Sequence, residues 1–434
     1  MKIRTQAWDG SDPARLASSL REAAPEPEGI AAAVAETIAS VAAGGDTAVA
    51  ELSERFDGVA SDPVEVPSEL IAAAPENIPP ALREAIQASA ANVRAVAEAQ
   101  ISGRVPAEVT LAAGQRIEVA EVPVGAAGIY VPGGRAPYPS SVVMGVVPAN
   151  VAGVGRVVVA SPPEAGTGLP APAVLAAAAI AGADSVYAVG GAQAIAALAL
   201  GTEAIPAVDV IAGPGSPWVQ EAKLQCSRHV GIDGYAGPSE LVAIVAAEVP
   251  PEWIALDLCS QAEHGHDGLL VAIATDPAWL ERLAEAIERI RNRDGDPGEA
   301  TFDLVAVDDV EAAIALTEAL APEHTEVVAA DAAGLGRRLT TSGCVFTGER
   351  SATAFGDYAA GSNHVLPTGG AGRFTGPLGP GTFRRRISRV EIDAGAAAAL
   401  AGTVDEIARA EGFPLHGESA IARAEGRNDP AKGE

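Results

Sequence analysis

Apolar positions along the chain change their spacing, and each change marks a change of structure. Over the first hundred or so residues they recur three and four apart, in Glu28–Ala43 and again in Pro80–Ala99, which is the period of helices with one buried face. Pro and Asp between them, in Ser61-Asp-Pro and Val66-Pro, predict turns. From about Ile117 short β-branched runs end in Gly or Pro and lead into helical stretches. Arg156-Val-Val-Val-Ala-Ser-Pro-Pro is one, Val186-Tyr-Ala-Val-Gly-Gly before Ala192 another, and Val208-Asp-Val-Ile-Ala-Gly-Pro-Gly before Pro217 a third. The same alternation resumes after Gly237, with Leu241-Val-Ala-Ile-Val before Glu252–Ala262, Leu269-Leu-Val-Ala-Ile-Ala before Pro277–Arg291, a helix over Val310–Leu320, and strands at Glu326 and Gly343. Strand, Gly turn and helix in repetition predict parallel α/β sheets, here in two blocks, roughly Ile117–Ile232 and Gly237–Gly348. Past Gly356 the chain is rich in Gly and Arg. A last helix is predicted over Ala396–Glu411, before a polar tail that frays after Gly426.

The 434 residues allow two to four domains, and 48% apolar content fills more than one core. The formal charge of −28 sets the chain against phosphate backbones and anionic lipid headgroups, so nucleic acid and membrane surfaces are not expected partners. The apolar run Pro170–Ala183 is too short to span a bilayer, and Pro148, Asn150 and Arg156 interrupt Val142–Val159. The first residues have no apolar core and no cleavage site of a secretory signal. Three scattered cysteines (Cys226, Cys259, Cys344) without a CxxC suit a reducing cytoplasm.

Candidate chemistry centres on six histidines, His229, His264, His266, His324, His364 and His416. Gln261 and His264, three apart at a helix end, can turn an oxygen and a nitrogen toward one ion, a donor pair that zinc accepts. The same spacing suits an end-of-helix His beside a solvated Gln. Glu323 and His324 adjoin after a Pro break and could act as two bases, or form an ordinary turn. Asp357 and His364 lie in an irregular Gly-rich stretch, where Asp and Asn also serve plain turns. Gly190-Gly-Ala-Gln193 and Gly213-Pro-Gly215 each follow a strand and open a helix, so either could offer backbone N–H groups to a phosphate, although no GxGxxG is present. Cys259, two residues before Gln261, raises the alternative of a thiol nucleophile; a buried helix cysteine is the simpler reading.

Taken together, Gly128-Ile-Tyr-Val-Pro-Gly-Gly134, Val189-Gly-Gly-Ala-Gln-Ala-Ile195, Gly231-Ile-Asp, Ala236-Gly-Pro-Ser-Glu240, Asp257-Leu-Cys-Ser-Gln-Ala-Glu-His264, Ala321-Pro-Glu-His324 and Gly356-Asp-Tyr358 through His364-Val-Leu-Pro-Thr-Gly-Gly370 resemble histidinol dehydrogenase, in order, from about residue 30 to 423. The resemblance implies a zinc- and NAD-dependent oxidation of L-histidinol to L-histidine through L-histidinal, the last step of histidine biosynthesis, in the cytoplasm. It implies Glu323 and His324 as acid/base residues and Gln261, His264, Asp357 and His416 as zinc ligands. Ser239, Gln261, His264, His324, Asp357, His364, Glu411 and His416 become substrate contacts. Tyr130, Gln193 and Ser216 fall at cofactor positions, Ser216 where the family usually has Asn, with a shorter reach. The implied fold is α/β, with two incomplete Rossmann-like domains, one inserted in the other, plus small helical N- and C-terminal segments. The expected layout is an arm over 1–25, a first domain over 26–130 and 240–380 with the zinc and catalytic residues, a second over 131–239 on the cofactor side, and a tail over 381–434. A homodimer is implied, its tails completing each other's sites with Glu411 and His416. A related dehydrogenase of a small polyol, such as a sulfonated propanediol, is the alternative, with Glu411 and His364 favouring histidinol.

Overall fold

The structure is a computed structural model and describes residues 2–21, 29–59, 64–133, 136–265, 267–294 and 300–426. Gly134, His266, parts of the expected arm and the tail after Gly426 lie outside the described residues. Along the chain run β1 (Lys2–Trp8), α1 (Pro13–Arg21), α2 (Ile30–Asp57), α3 (Ser68–Ala73), α4 (Pro80–Ile101), β2 (Ala107–Thr110), β3 (Arg116–Pro123), β4 (Ala126–Tyr130), α5 (Pro139–Ala152), β5 (Arg156–Ser161), α6 (Pro172–Ala181), β6 (Ser185–Ala188), α7 (Gly191–Leu200), β7 (Val210–Ala212), α8 (Pro217–Cys226) and β8 (Gly231–Ile232). Then follow β9 (Glu240–Val245), α9 (Pro251–Ala262), β10 (Leu269–Ala274), α10 (Pro277–Asp294), β11 (Thr301–Val307), α11 (Val310–Leu320), β12 (His324–Val328), α12 (Ala332–Gly336), β13 (Cys344–Thr347), α13 (Thr353–Tyr358), β14 (Arg384–Glu391), α14 (Ala394–Ala410) and α15 (Pro414–Ala424).

Met1–Gln100 with Val124–Phe383 form one compact unit, and Ile101–Pro123 with Arg384–Glu434 a second. The first unit holds two parallel sheets. One runs β6-β5-β4-β7-β8 and the other β1-β11-β10-β9-β12-β13. Numbered within its own block, each has the order 3-2-1-4-5 of an incomplete Rossmann fold, and the second gains β1 at its edge. The strands read as continuous apolar runs because helices cover both faces; Glu240–Val245 and Leu269–Ala274 are buried throughout. The five-stranded sheet is inserted between β1 and the other five strands of its sheet. The fold class is the one the motifs implied.

The boundaries differ from the expected layout in three places. Lys2–Trp8 is not an arm: it pairs in parallel with Thr301–Val307 along its whole length. The helices α2, α3 and α4 pack on the five-stranded sheet rather than on the six-stranded one, with Val34, Val41 and Val49 in the cluster on one face and Ile71, Ile86 and Val93 in that on the other. Helix α2 also runs past the predicted end at Ala43 to Asp57, absorbing a break at Gly45, where φ is 53°. A positive φ is open to Gly at little cost, so two glycines bend the helix without ending it. The second unit is not purely helical: β14 pairs antiparallel with β3, which pairs with β2, and α14 packs on α15. No helix among the described residues is long and apolar enough to cross a membrane.

At the carboxyl end of β7 the chain turns through Gly213, where φ is 124° and a Cβ would collide with the Tyr130 carbonyl oxygen. Lys223, 1% exposed, holds this turn from α8. Its Nζ donates to the Gly213 carbonyl at 3.1 Å and pairs with Asp233, whose Oδ2 accepts the Gly213 N–H at 2.7 Å. Removing one member of a buried ion pair strands the other charge. Lys223→Met is therefore expected to lose roughly 3–5 kcal/mol of stability, read from urea unfolding, whereas a loss below 1 kcal/mol would mean that the pair contributes little.

Candidate active site

The chemistry gathers at the amino ends of β9, β12 and β13, in the six-stranded sheet. Parallel pairing sets His324 opposite Leu241 on one side and Cys344 on the other, so Glu240, Glu323 and His324 arrive together. Glu240 and Glu323 clasp each other. The Glu240 N–H donates to Glu323 Oε2 at 2.9 Å, and the Glu323 N–H to Glu240 Oε2 at 3.1 Å. Two buried carboxylates side by side need positive charge or donors. Glu240 has both: the Arg21 guanidinium grips both its oxygens, and the Gly369 N–H donates to Oε1 at 3.0 Å.

The Glu240 backbone carbonyl lies 3.0 Å from His324 Nδ1. A carbonyl only accepts, so Nδ1 carries hydrogen and Nε2 is the ring atom free to gain or release a proton. Nε2 is buried without a hydrogen-bond partner among the described residues, and Asp357 Oδ1 stands 3.6 Å from it. Burial lowers the His324 pKa, but the carboxylates of Glu323 and Asp357 outweigh it and hold the imidazole well above its ordinary value.

Helix α9 brings Gln261 in its last turn, 2% exposed, with His264 just beyond its end and exposed. Helix α13 brings Asp357. Gln261 Nε2 stands 3.5 Å from Asp357 Oδ2, and a half-turn of the amide presents its oxygen there instead. Burial raises the Asp357 pKa, yet the bond and charge of His324, with His364 and His264 beyond, bring it below the usual value. His364 Nδ1 lies 2.8 Å from the Asp357 carbonyl, and burial lowers its pKa. Ser239, half-buried, precedes β9. Thus Ser239, Gln261, His264, Glu323, His324, Asp357 and His364 belong to this unit, while Glu411 and His416 belong to the second. There Glu411 follows α14 and His416 lies in the first turn of α15, both exposed, the His416 ring edge-on to Phe413 at 5.5 Å.

The expected cofactor positions cluster at the carboxyl ends of β4 and β7, the reversal point of the five-stranded sheet, where doubly wound sheets take ligands. Tyr130 ends β4, and its hydroxyl accepts the Gly191 N–H at 3.1 Å; burial and the charge of Asp57 push its pKa up to about 12. Gln193, 1% exposed, donates to Asp57 Oδ2 at 3.2 Å. Asp57, which no sequence pattern flags, also accepts from Gly190. One amide at the start of α7, the Gly191 N–H, in the turn read from the sequence as a phosphate cradle, is therefore already engaged by Tyr130. Ser216, at the start of α8, is exposed and makes no side-chain cap.

A family model described as histidinol dehydrogenase matches residues 20–424. The chain is 40% identical to the histidinol dehydrogenase of Burkholderia pseudomallei over 97% of its length and 96% of the relative's. To that of Pseudomonas aeruginosa it is 41% identical over 90% of each. The chain belongs to the histidinol dehydrogenase family. A solved histidinol dehydrogenase from Elizabethkingia anophelis superposes with a TM-score of 0.90 over 99% of both chains at 28% identity. The chain is an enzyme, an oxidoreductase, as the motifs implied. The thiol alternative loses its footing in this family member: Cys259 is buried in α9, and burial with the charge of Glu263 pushes its pKa up to about 11. Sequence reading missed Glu240 and Arg21, because a buried acid inside a strand motif looks like any other residue of the motif.

At pH 8 such a thiol is ionised on the order of one part in a thousand. Iodoacetamide should label Cys259 far more slowly than an exposed cysteine, by mass spectrometry of the folded protein, and Cys259→Ala should leave turnover unchanged; loss of a second oxidation alone in that variant would restore the thiol.

Proposed function

We propose that this chain oxidises L-histidinol to L-histidine through L-histidinal, the last step of histidine biosynthesis, with NAD⁺ as electron acceptor and a bound zinc ion, in the cytoplasm. The observation that carries the reading is the meeting of Glu323, His324, Gln261 and Asp357 at the amino ends of β9 and β12 in a member of this family. Gln261 and Asp357, with His264 near enough to act on the Asp357 charge, form a mixed N and O donor set, which zinc accepts. No three His, Cys, Asp or Glu side chains converge on one point among the described residues. A fourth donor from elsewhere fits that partial set, and His416 from a partner's tail is the assignment. The exposed Phe413 and Leu415 beside it support a tail that docks on a second copy.

Zinc, when bound, supplies a positive anchor for the substrate's imidazole and amine nitrogens. NAD⁺, when bound, takes two electrons with each of two hydrides; Tyr130, Gln193 and Ser216 are the residues assigned to hold it, and 131–239 the cofactor side. Once its Nε2 proton has passed to solvent, His324 takes the alcohol proton there in the first oxidation, its ring held by the Glu240 carbonyl. Glu323, fixed through Oε2 to the Glu240 N–H, takes a proton from the water that adds to the aldehyde. His324, having released the first proton to solvent, then takes the hydroxyl proton of the resulting gem-diol in the second oxidation. Ser239, His364 and Glu411 are left to contact the substrate. The balance is one histidinol, two NAD⁺ and one water to one histidine, two NADH and three protons.

Histidinol should yield two NADH per histidine, counted by absorbance and amino-acid analysis, and a chelator should stop both. His324→Asn should lower kcat about 10²–10⁴-fold and leave metal content unchanged. His416→Asn should release metal, and mixed dimers should recover part of it. Two-electron oxidation of a sulfonated propanediol, with histidinol untouched, would favour the polyol reading instead.

A further inference from the structure

Glu326 lies two residues beyond His324 on β12, so the two side chains share the face that α9 covers. It is 3% exposed and takes no part in the reaction above. Its Oε1 accepts both donors of Thr353, the N–H at 2.8 Å and the Oγ1–H at 2.7 Å. Its carboxylate also faces the side chain of Asp257 in α9, close enough for the two to share a hydrogen bond when one of them carries a proton. Thr353 begins α13, and Asp357 follows one turn later. Asp257 lies one turn before Gln261. A single carboxylate thus fastens the roots of three elements, and each carries a site residue one helical turn or one strand repeat away.

Helix α13 needs such a fastening. Six residues are too few to hold a helix in water, and the residue before it, Ala352, has no side chain to cap it. Glu326 supplies the acceptor from another element and sets a negative charge at the helix start. We infer that Glu326 is a positioning residue whose hydrogen bonds to Thr353 and Asp257 hold Asp357 and Gln261 in register with His324. The inference rests on the proposed function for the roles of those three residues. Two donors already converge on Glu326, so Asp257 completes the set as a third donor and must carry the proton. Burial first, and then the Glu326 charge, push Asp257 up to about 8. His324 is the cation that faces Glu326. Below about pH 8 the bond between Asp257 and Glu326 stands; above it two carboxylates face each other and the tie to α9 is lost, while Thr353 still donates to Glu326.

The test uses the metal-loaded full chain and three measurements: zinc affinity by chelator competition, kcat/KM for histidinol against pH, and hydrogen exchange of the Thr353–Tyr358 amides. Asp257→Asn keeps a donor that does not titrate. It should hold zinc affinity within about 3-fold and sustain kcat/KM above pH 8, where the unaltered protein, its α9 tie lost, declines. Asp257→Leu should lose about 10–100-fold in zinc affinity and expose the α13 amides to exchange. Should that variant fail to fold, Thr353→Val against Thr353→Ser makes the same comparison. Asn no better than Leu, or Val indistinguishable from Ser, overturns the inference. If the unaltered protein binds no zinc and leaves histidinol untouched, the functional reading fails by itself; the exchange pattern still decides the tie.

Discussion

The parallel pairing of β9 with β12 is the constraint on which the rest of the structure depends. Those strands are neighbours in space but lie more than eighty residues apart in the chain, on either side of the point where the strand order reverses. Only this pairing lets Glu240 and Glu323 exchange backbone and carboxylate bonds, and only that exchange brings the Glu240 carbonyl to His324. The tautomer of the imidazole is thus fixed by main chain, which cannot change its charge. The position is unusual for such a sheet, whose ligands ordinarily sit beyond the carboxyl ends of the strands. On the proposed function the five-stranded sheet follows that habit and the six-stranded one reverses it, so the same strand order is used from opposite ends.

Crowding acids into a sheet interior raises the cost of burying charge, and each is answered locally. Glu240 is matched by Arg21, Asp303 by Arg4 and Asp233 by Lys223. Among the described residues Glu326 has no lysine or arginine partner; it accepts from Thr353 and faces Asp257. The overall charge of −28 is a separate matter of surface and solubility. The few buried acids are the ones with structural consequences.

Much of this was legible in the sequence. The β-branched runs at Arg156, Val186, Leu241 and Leu269 are strands because both faces are covered, and apolar continuity reports that directly. The Gly-Pro-Ser-Glu, Gln-Ala-Glu-His and Pro-Glu-His phrases lie where motif order placed them. Long-range partnership was not legible. Lys2–Trp8 alternates too weakly to announce a strand, and its partner is some three hundred residues away. The Gly pair in α2 reads as a stop, and only packing against α7 and α8 shows why the helix continues. Asp57, Asp257 and Glu326 are ordinary acids in sequence, and their weight comes from burial, which a single chain of letters does not encode.

The insertion of one sheet into another orders events during synthesis. Every strand of the five-stranded sheet has been made by Ile232, whereas Lys2 must wait for Thr301 before it has a neighbour. At about 5–20 residues per second, the first strand spends many seconds on the ribosome as an unclaimed edge. Its polar side chains, Arg4 and Gln6 among them, suit that wait, because a sticky apolar ribbon left bare for so long would recruit neighbouring nascent chains.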